Sequence, residues 1–120
     1  MREKKFLSPE RPETPEGLQY HIRCRPGDVA PYVLLPGDPG RVERISKYWD
    51  EKRIVAVHRE YVTHTGKYRG APISATSTGI GCPAAAIAVE ELLRVGAETF
   101  IRVGTTGAIQ EDVGIGDLII

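Results

Sequence analysis

Apolar positions along this chain follow two rhythms, short continuous runs and helical spacings, separated by Gly/Pro punctuation. Tyr32-Val33-Leu34-Leu35 is an apolar run stopped by Pro36-Gly37, as a buried strand should be. Asp38-Pro39 comes next. An aspartate cap followed by a proline, whose missing N–H costs nothing in the first turn, predicts a helix start. Val42, Ile45 and Trp49 then recur at helical spacing on one face. Ile54-Val55-Ala56-Val57 reads as a second strand. Residues 61–68 and 72–78 read as two more strands, joined through Arg69-Gly70 as a hairpin.

Gly79-Ile80-Gly81 and Cys82-Pro83 lead into a predicted helix over 84–95, with Ala85, Val89, Leu92 and Leu93 on its apolar face and Gly96 as its stop. A strand over 99–103 follows. Strand, helix and strand within about thirty residues make a βαβ unit, which sets strands parallel with a right-handed crossover. The predicted fold class is α/β: a mixed, largely parallel central sheet flanked by helices. Asp117-Leu118-Ile119-Ile120 reads as a further strand entering a core, which leads to the expectation of a truncated chain. Residues 1–18 depart from the pattern. Pro9, Pro12 and Pro15 sit among charges with few apolar residues, so this stretch is expected to be an extended or disordered arm. Residues 19–120 are expected to form the N-terminal part of an α/β domain.

Composition narrows the function classes. The 120 residues suit one domain. Sixteen Lys+Arg balance sixteen Asp+Glu, which argues against nucleic acid or anionic membrane as a partner held by bulk charge. Cys24 and Cys82 lie far apart, without CxxC or Cys/His spacing. No metal site or disulfide framework is expected, and a reducing, cytoplasmic location fits. The stretch 70–89 is uncharged but contains Pro72, Pro83 and three glycines, so it is not expected to span a membrane.

Three segments place glycines with polar or basic residues where ligands bind in α/β sheets, beyond the carboxyl ends of parallel strands. They are Pro36-Gly37-Asp38-Pro39-Gly40-Arg41, Ser77-Thr78-Gly79-Ile80-Gly81 and Arg102-Val103-Gly104-Thr105-Thr106-Gly107. Glycine lets backbone N–H groups approach an anion, a helix N-terminus adds partial positive charge, and arginine grips phosphate bidentately. Each loop alone is also an ordinary turn or strand exit. Together they point to an anion without identifying it. Gly79-Ile80-Gly81-Cys82-Pro83-Ala84 also fits GxGxxA, a dinucleotide fingerprint. The acidic residue that fingerprint wants at the end of the next strand is missing, because Glu98 lies at the wrong end. His58 and His64, six apart, would share a face of one continuous strand but make a weak metal site without a further ligand. No Ser/His/Asp arrangement is present, so a covalent mechanism has no obvious carrier.

Five ordered blocks carry a resemblance: Leu35-Pro36-Gly37-Asp38-Pro39-Gly40-Arg41-Val42-Glu43, His58-Arg59-Glu60, Ser77-Thr78-Gly79-Ile80-Gly81, Ala88-Val89-Glu90-Glu91-Leu92 and Arg102-Val103-Gly104-Thr105-Thr106-Gly107-Ala108-Ile109-Gln110. The chain from Tyr20 onward resembles the nucleoside phosphorylases of the uridine phosphorylase and hexameric purine nucleoside phosphorylase type, with the last block closest to the uridine phosphorylase wording. The resemblance implies phosphorolysis of a nucleoside by inorganic phosphate as co-substrate, with no cofactor, giving free base and ribose 1-phosphate. It implies Gly37, Arg41, Arg59, Arg102 and Thr105 as phosphate contacts, and Arg102 and Thr105 as the catalytic ones. Thr105 would also touch ribose. Arg59 would reach the phosphate of a neighbouring subunit, and His21 the neighbour's ribose hydroxyl. The implied assembly is a dimer-based homo-oligomer, a hexamer in most of the family. Some members hold a monovalent cation through a glutamate, a carbonyl and a serine. Glu60 and Ile80 stand in the first two places, but Ala84 replaces the serine. The family's base-recognition residues lie beyond the matched stretch, so the 120 residues alone are expected to be weak or inactive. A purine nucleoside phosphorylase, a non-catalytic phosphate or nucleotide binder and a dinucleotide oxidoreductase are the competing readings.

Overall fold

The apolar run Tyr32–Leu35 forms strand β1, and the sheet is built outward from it. The computed structural model of the chain describes residues 8–120. After β1 come α1 (Pro39–Ser46), β2 (Glu51–His58), β3 (Tyr61–Tyr68), β4 (Ala71–Thr76), α2 (Cys82–Arg94) and β5 (Thr99–Arg102). They make one five-stranded sheet in the order β2-β3-β4-β1-β5. β1 pairs in parallel with β4 and with β5, whereas β3 pairs antiparallel with both β2 and β4. Four strands therefore run one way and β3 alone reverses. This is the mixed, largely parallel sheet the sequence predicts.

The helices take opposite faces of the sheet. Strand residues alternate between faces, and His64 of β3 pairs across to Ala75 while Thr63 pairs to Thr76. On the His64 face α1 packs over β3 and β4, with Ser46 Oγ 2.8 Å from His64 Nδ1. On the other face Ala88 and Leu92 of α2 join Val33, Leu35, Tyr61, Ile22 and Cys24 in the hydrophobic core. That core also encloses paired hydroxyls, Thr63 with Thr76 at 3.0 Å and Thr65 with Ser74 at 2.8 Å. Each buried hydroxyl thus finds a partner, as burial demands. Burial pushes the Cys24 thiol up to about 12, which leaves it a small apolar core group rather than a reactive thiol.

Several expectations change in the structure. α1 stops at Ser46, so Trp49 falls in the following turn rather than on the helix face. The cause is the hairpin beyond it: Asp50 N–H already donates to Lys67 O at 2.9 Å, and the chain must straighten before that bond. On α2 the buried residues are Ala88, Glu91 and Leu92, while Leu93 is exposed. His58 ends β2 and His64 lies within β3, so the chain reversal at Arg59-Glu60 takes them off a common strand. No strand forms over 117–120. After β5 the chain runs in irregular turns with Ile115, Leu118, Ile119 and Ile120 exposed, and no strand among the described residues pairs with it. Of the stretch expected to be an arm, residues 1–7 lie outside the described residues. Within the rest Thr14 is buried and Glu13 bridges to Gln19.

Two predictions follow from this packing. A Cβ added at Gly66 meets Glu51 O at 1.9 Å, a collision with backbone that no side-chain rotation relieves. Gly66→Ala is expected to lower the unfolding free energy by about 3 kcal/mol, read from urea midpoints at constant m-value. His64 is pulled below the usual imidazole range, chiefly by burial, with Glu43 opposing. Below about pH 6.5 the unfolded chain therefore takes up a proton that the folded chain refuses. Stability is expected to fall as pH drops from about 7 toward the lowered native value and then level off. His64→Gln should flatten that part of the pH–stability curve, measured by the same denaturation at stepped pH.

Candidate functional site

Parallel strands end together, and three of them end here. β1 and β5 run in register with Leu35 opposite Arg102. Beyond β4 the chain bends back so that Thr78 N–H donates to Pro36 O and Gly79 N–H to Gly37 O, both at 2.9 Å. The loops after β1, β4 and β5 therefore share one edge of the sheet, where α/β proteins bind ligands. They line a cleft of about 740 Å³ that includes Gly37, Asp38, Arg41, Glu60, Gly79 and Ile80, together with Arg102 and Thr105.

The two arginines are held by different means. Arg102 Nη1 donates to Leu35 O at 2.7 Å and to Val103 O at 3.1 Å. Its guanidinium lies against Gly37, where a Cβ would sit 3.2 Å from Nη2. Arg41, in the first turn of α1, donates from Nη2 to Thr105 Oγ1 at 3.3 Å. Among the described residues neither guanidinium has a carboxylate within ion-pair distance. Asp38 and Glu60 line the same cleft without pairing with either guanidinium, so both cations are free to hold an anion between them. The N–H of Gly37 also has no acceptor among the described residues. The start of α1 contributes less, because Asp38 Oδ1 accepts Gly40 N–H at 3.0 Å and Asp38 O accepts Arg41 N–H at 3.0 Å, while Pro39 has none to offer.

Gly37, Arg41, Arg102 and Thr105 thus come together, and Arg59 and His21 do not join them. Arg59 is exposed in the β2–β3 turn at φ +55°. Its neighbour Glu60 lines the cleft instead, its stem so close to Gly79 that a Cβ there would meet Glu60 Cγ at 2.7 Å. His21 lies in a separate, smaller cleft of about 250 Å³ with Pro12, Ala86, Ile87 and Arg94. There its Nδ1 sits 2.7 Å from Glu91 Oε1. Sequence reasoning assigned Glu91 no role. Its spacing was a usable signal, since it stands three residues after Ala88 and four before Val95, both buried.

Among the described residues no three His, Cys, Asp or Glu side chains gather as a metal site, and no helix is long and apolar enough to cross a membrane. Ser77, Thr78 and the glycines of the GxGxxA stretch do lie between β4 and α2, and Gly79, Ile80 and Gly81 line the cleft with the two arginines.

Fold and cleft together define a mixed α/β protein with its candidate site at the carboxyl ends of parallel strands. The chain belongs to the phosphorylase superfamily, whose family model matches residues 31–120. It is 70% identical over 117 residues to a uridine phosphorylase of Thermococcus kodakarensis, covering 98% of this chain and 42% of that protein. It is 51% identical over 102 residues to a guanosine phosphorylase of Halorubrum lacusprofundi, covering 85% of this chain and 42% of that one. The crystal structure of a uridine phosphorylase from Vibrio fischeri superposes with a TM-score of 0.82 at 42% identity, over 87% of this chain and 44% of the other. The chain thus spans about two-fifths of the length of these relatives.

Proposed function

We propose that this chain supplies the phosphate-binding part of a nucleoside phosphorylase acting on uridine. The observation that carries the reading is the pair of guanidiniums without ion-pair partners among the described residues, Arg41 and Arg102, lining one cleft with Gly37 and Thr105. The identity to the Thermococcus uridine phosphorylase supports the choice of substrate. In the proposed reaction an oxygen of inorganic phosphate attacks the anomeric carbon of the nucleoside. The C–N glycosidic bond breaks, and the base leaves with the bonding pair and takes up a proton. Phosphate is itself the nucleophile, so no activated serine or cysteine is needed and none is assigned. Catalysis is then orientation of the dianion and stabilisation of an oxocarbenium-like transition state. Arg102 and Arg41 hold the phosphate, the Gly37 N–H donates to it, and the Thr105 hydroxyl bridges phosphate and ribose.

Arg59 and His21 lie outside their own chain's cleft, which supports their donation to a neighbouring copy. The proposed assembly is a homo-oligomer built from dimers, a hexamer, located in the cytoplasm and using no cofactor. Residues 19–120 act as the N-terminal part of the catalytic domain, preceded by the arm 1–18. Phosphorolysis of a purine nucleoside is the second reading, favoured by the 51% identity to a guanosine phosphorylase.

The test joins the chain to the C-terminal part of the Thermococcus relative and measures ribose 1-phosphate formation from uridine and from guanosine, alongside the chain alone. Turnover of uridine by the fusion is expected, with little or none from the 120 residues by themselves. A folded, oligomeric fusion that binds phosphate and cleaves neither nucleoside would overturn the enzymatic reading in favour of a phosphate-binding module. In an active fusion, Arg102→Ala and Arg41→Ala should each cost about 2–4 kcal/mol of transition-state stabilisation, expressed in the phosphate kinetics. Arg59→Ala should do likewise. When mixed with intact subunits, its activity should return only at sites whose donated arginine is intact.

A further inference from the structure

Glu91 is the one carboxylate buried among the described residues, with its side chain 2% exposed. It lies on α2 and reaches a segment seventy residues earlier in the chain. Its Oε2 accepts the backbone N–H of Ile22 at 2.8 Å and that of His21 at 3.1 Å. Its Oε1 lies 2.7 Å from His21 Nδ1. Both carboxyl oxygens act as acceptors of these N–H groups. A carboxylate oxygen accepts and does not donate, so the proton in the contact with the ring sits on Nδ1. The peptide is held from its other side too, because His58 Nδ1 lies 2.7 Å from His21 O and donates to that carbonyl.

His21 is consequently fixed at its backbone N–H, its carbonyl and one ring nitrogen, while Nε2 has no partner among the described residues. Its side chain is 22% exposed and borders the small cleft with Ala86, Ile87 and Pro12. A histidine tied this way presents Nε2 as an acceptor of set direction, the arrangement in which a carboxylate fixes the tautomer of a working imidazole.

We infer that Glu91 is a positioning residue that locks His21 in its Nδ1–H form, so that Nε2 accepts a hydrogen bond from a ligand hydroxyl. The inference rests on the proposed function for the identity of that hydroxyl, a sugar hydroxyl of the nucleoside. The lock itself depends only on the contacts above. Burial and spacing also suit a carboxylate that merely staples α2 to the segment 20–23. The two roles separate in Glu91→Gln. The amide oxygen can keep the backbone N–H bonds, but an NH2 turned toward the ring donates to Nδ1 and drives the proton to Nε2.

The test is long-range 1H–15N NMR of the histidine rings at alkaline pH in the 120-residue chain, with the amide spectrum as a check on folding. The wild type should show His21 with Nδ1 protonated and Nε2 bare. Glu91→Gln should move the ring toward Nε2–H, and Glu91→Asp should restore the wild-type signature. A wild-type ring in the Nε2–H form, or a signature unchanged in Glu91→Gln, would overturn the inference. In the active fusion, Glu91→Gln should raise the KM for uridine about tenfold and leave the KM for phosphate unchanged, the size expected when one hydrogen bond is unmade. If His21→Ala raises the uridine KM and Glu91→Gln does not, the acceptor role is wrong. If His21→Ala itself leaves the uridine KM unchanged, the assignment of His21 to the sugar fails, while the NMR result still decides whether Glu91 holds the ring.

Discussion

One carbonyl oxygen, that of Leu35, accepts both the backbone N–H of Val103 at 3.2 Å and the guanidinium of Arg102 at 2.7 Å. The site depends on this junction. The first bond extends the parallel register of β1 and β5 one residue past the strands. The second spends the carbonyl's remaining lone pair on the side chain that the register has delivered. An arginine is among the costliest side chains to order. Anchoring one end of its guanidinium to main chain removes most of that cost before any ligand arrives. Gly37 completes the junction from the other side, because a Cβ there would press on the same guanidinium at 3.2 Å.

Charge in the cleft is set by side chains and loop amides more than by helix ends. A helix N-terminus attracts anions through N–H groups that lack acceptors. In α1 those groups are absent or occupied: Pro39 has none, and Asp38 takes those of Gly40 and Arg41. The sequence pattern Asp-Pro-Gly-Arg therefore makes a well-capped helix whose positive end is largely consumed by its own cap. What remains for an anion is the Gly37 N–H, the two guanidiniums and the Thr105 hydroxyl that Arg41 already orients.

The parts of the fold legible in the sequence were those with local causes. The Asp38-Pro39 start, the Arg69-Gly70 hairpin and the βαβ run from β4 to β5 each rest on backbone chemistry within a few residues. The misses share a different origin. α1 ends early because of Lys67, seventeen residues past Asp50 in the chain. The buried face of α2 includes a glutamate because a segment seventy residues away brings three N–H groups to it. An acidic residue on a helix reads as solvent-facing by composition, and only its place in the Ala88–Val95 spacing argued otherwise. Within the cleft, the glycine and arginine loops were readable because strand ends and glycines are local signals. The place of Arg59 and His21 outside it was not readable from local signals, and only the family resemblance, which gives both to a neighbouring subunit, implied it.

The turn that carries Arg59 is tightly constrained. His58 and Tyr61 are paired in register, so Arg59 and Glu60 must reverse the chain in two residues. Such a turn needs positive φ, and Arg59 adopts it without being glycine, at a cost of about 1 kcal/mol. Ser77 fixes the outcome by accepting Val62 N–H at 2.8 Å and donating to Glu60 O at 2.6 Å. With its carbonyl held, Glu60 lays its stem against Gly79 and lines its own chain's cleft, while Arg59 stays exposed beside it. Two adjacent residues are thereby committed to different surroundings by one hydroxyl and one strained φ. Replacing Arg59 by glycine would relieve the backbone and remove the cation together. The strain at this turn therefore falls on the residue that the proposed function gives to a neighbouring copy, and backbone strain of this kind is concentrated at functional sites.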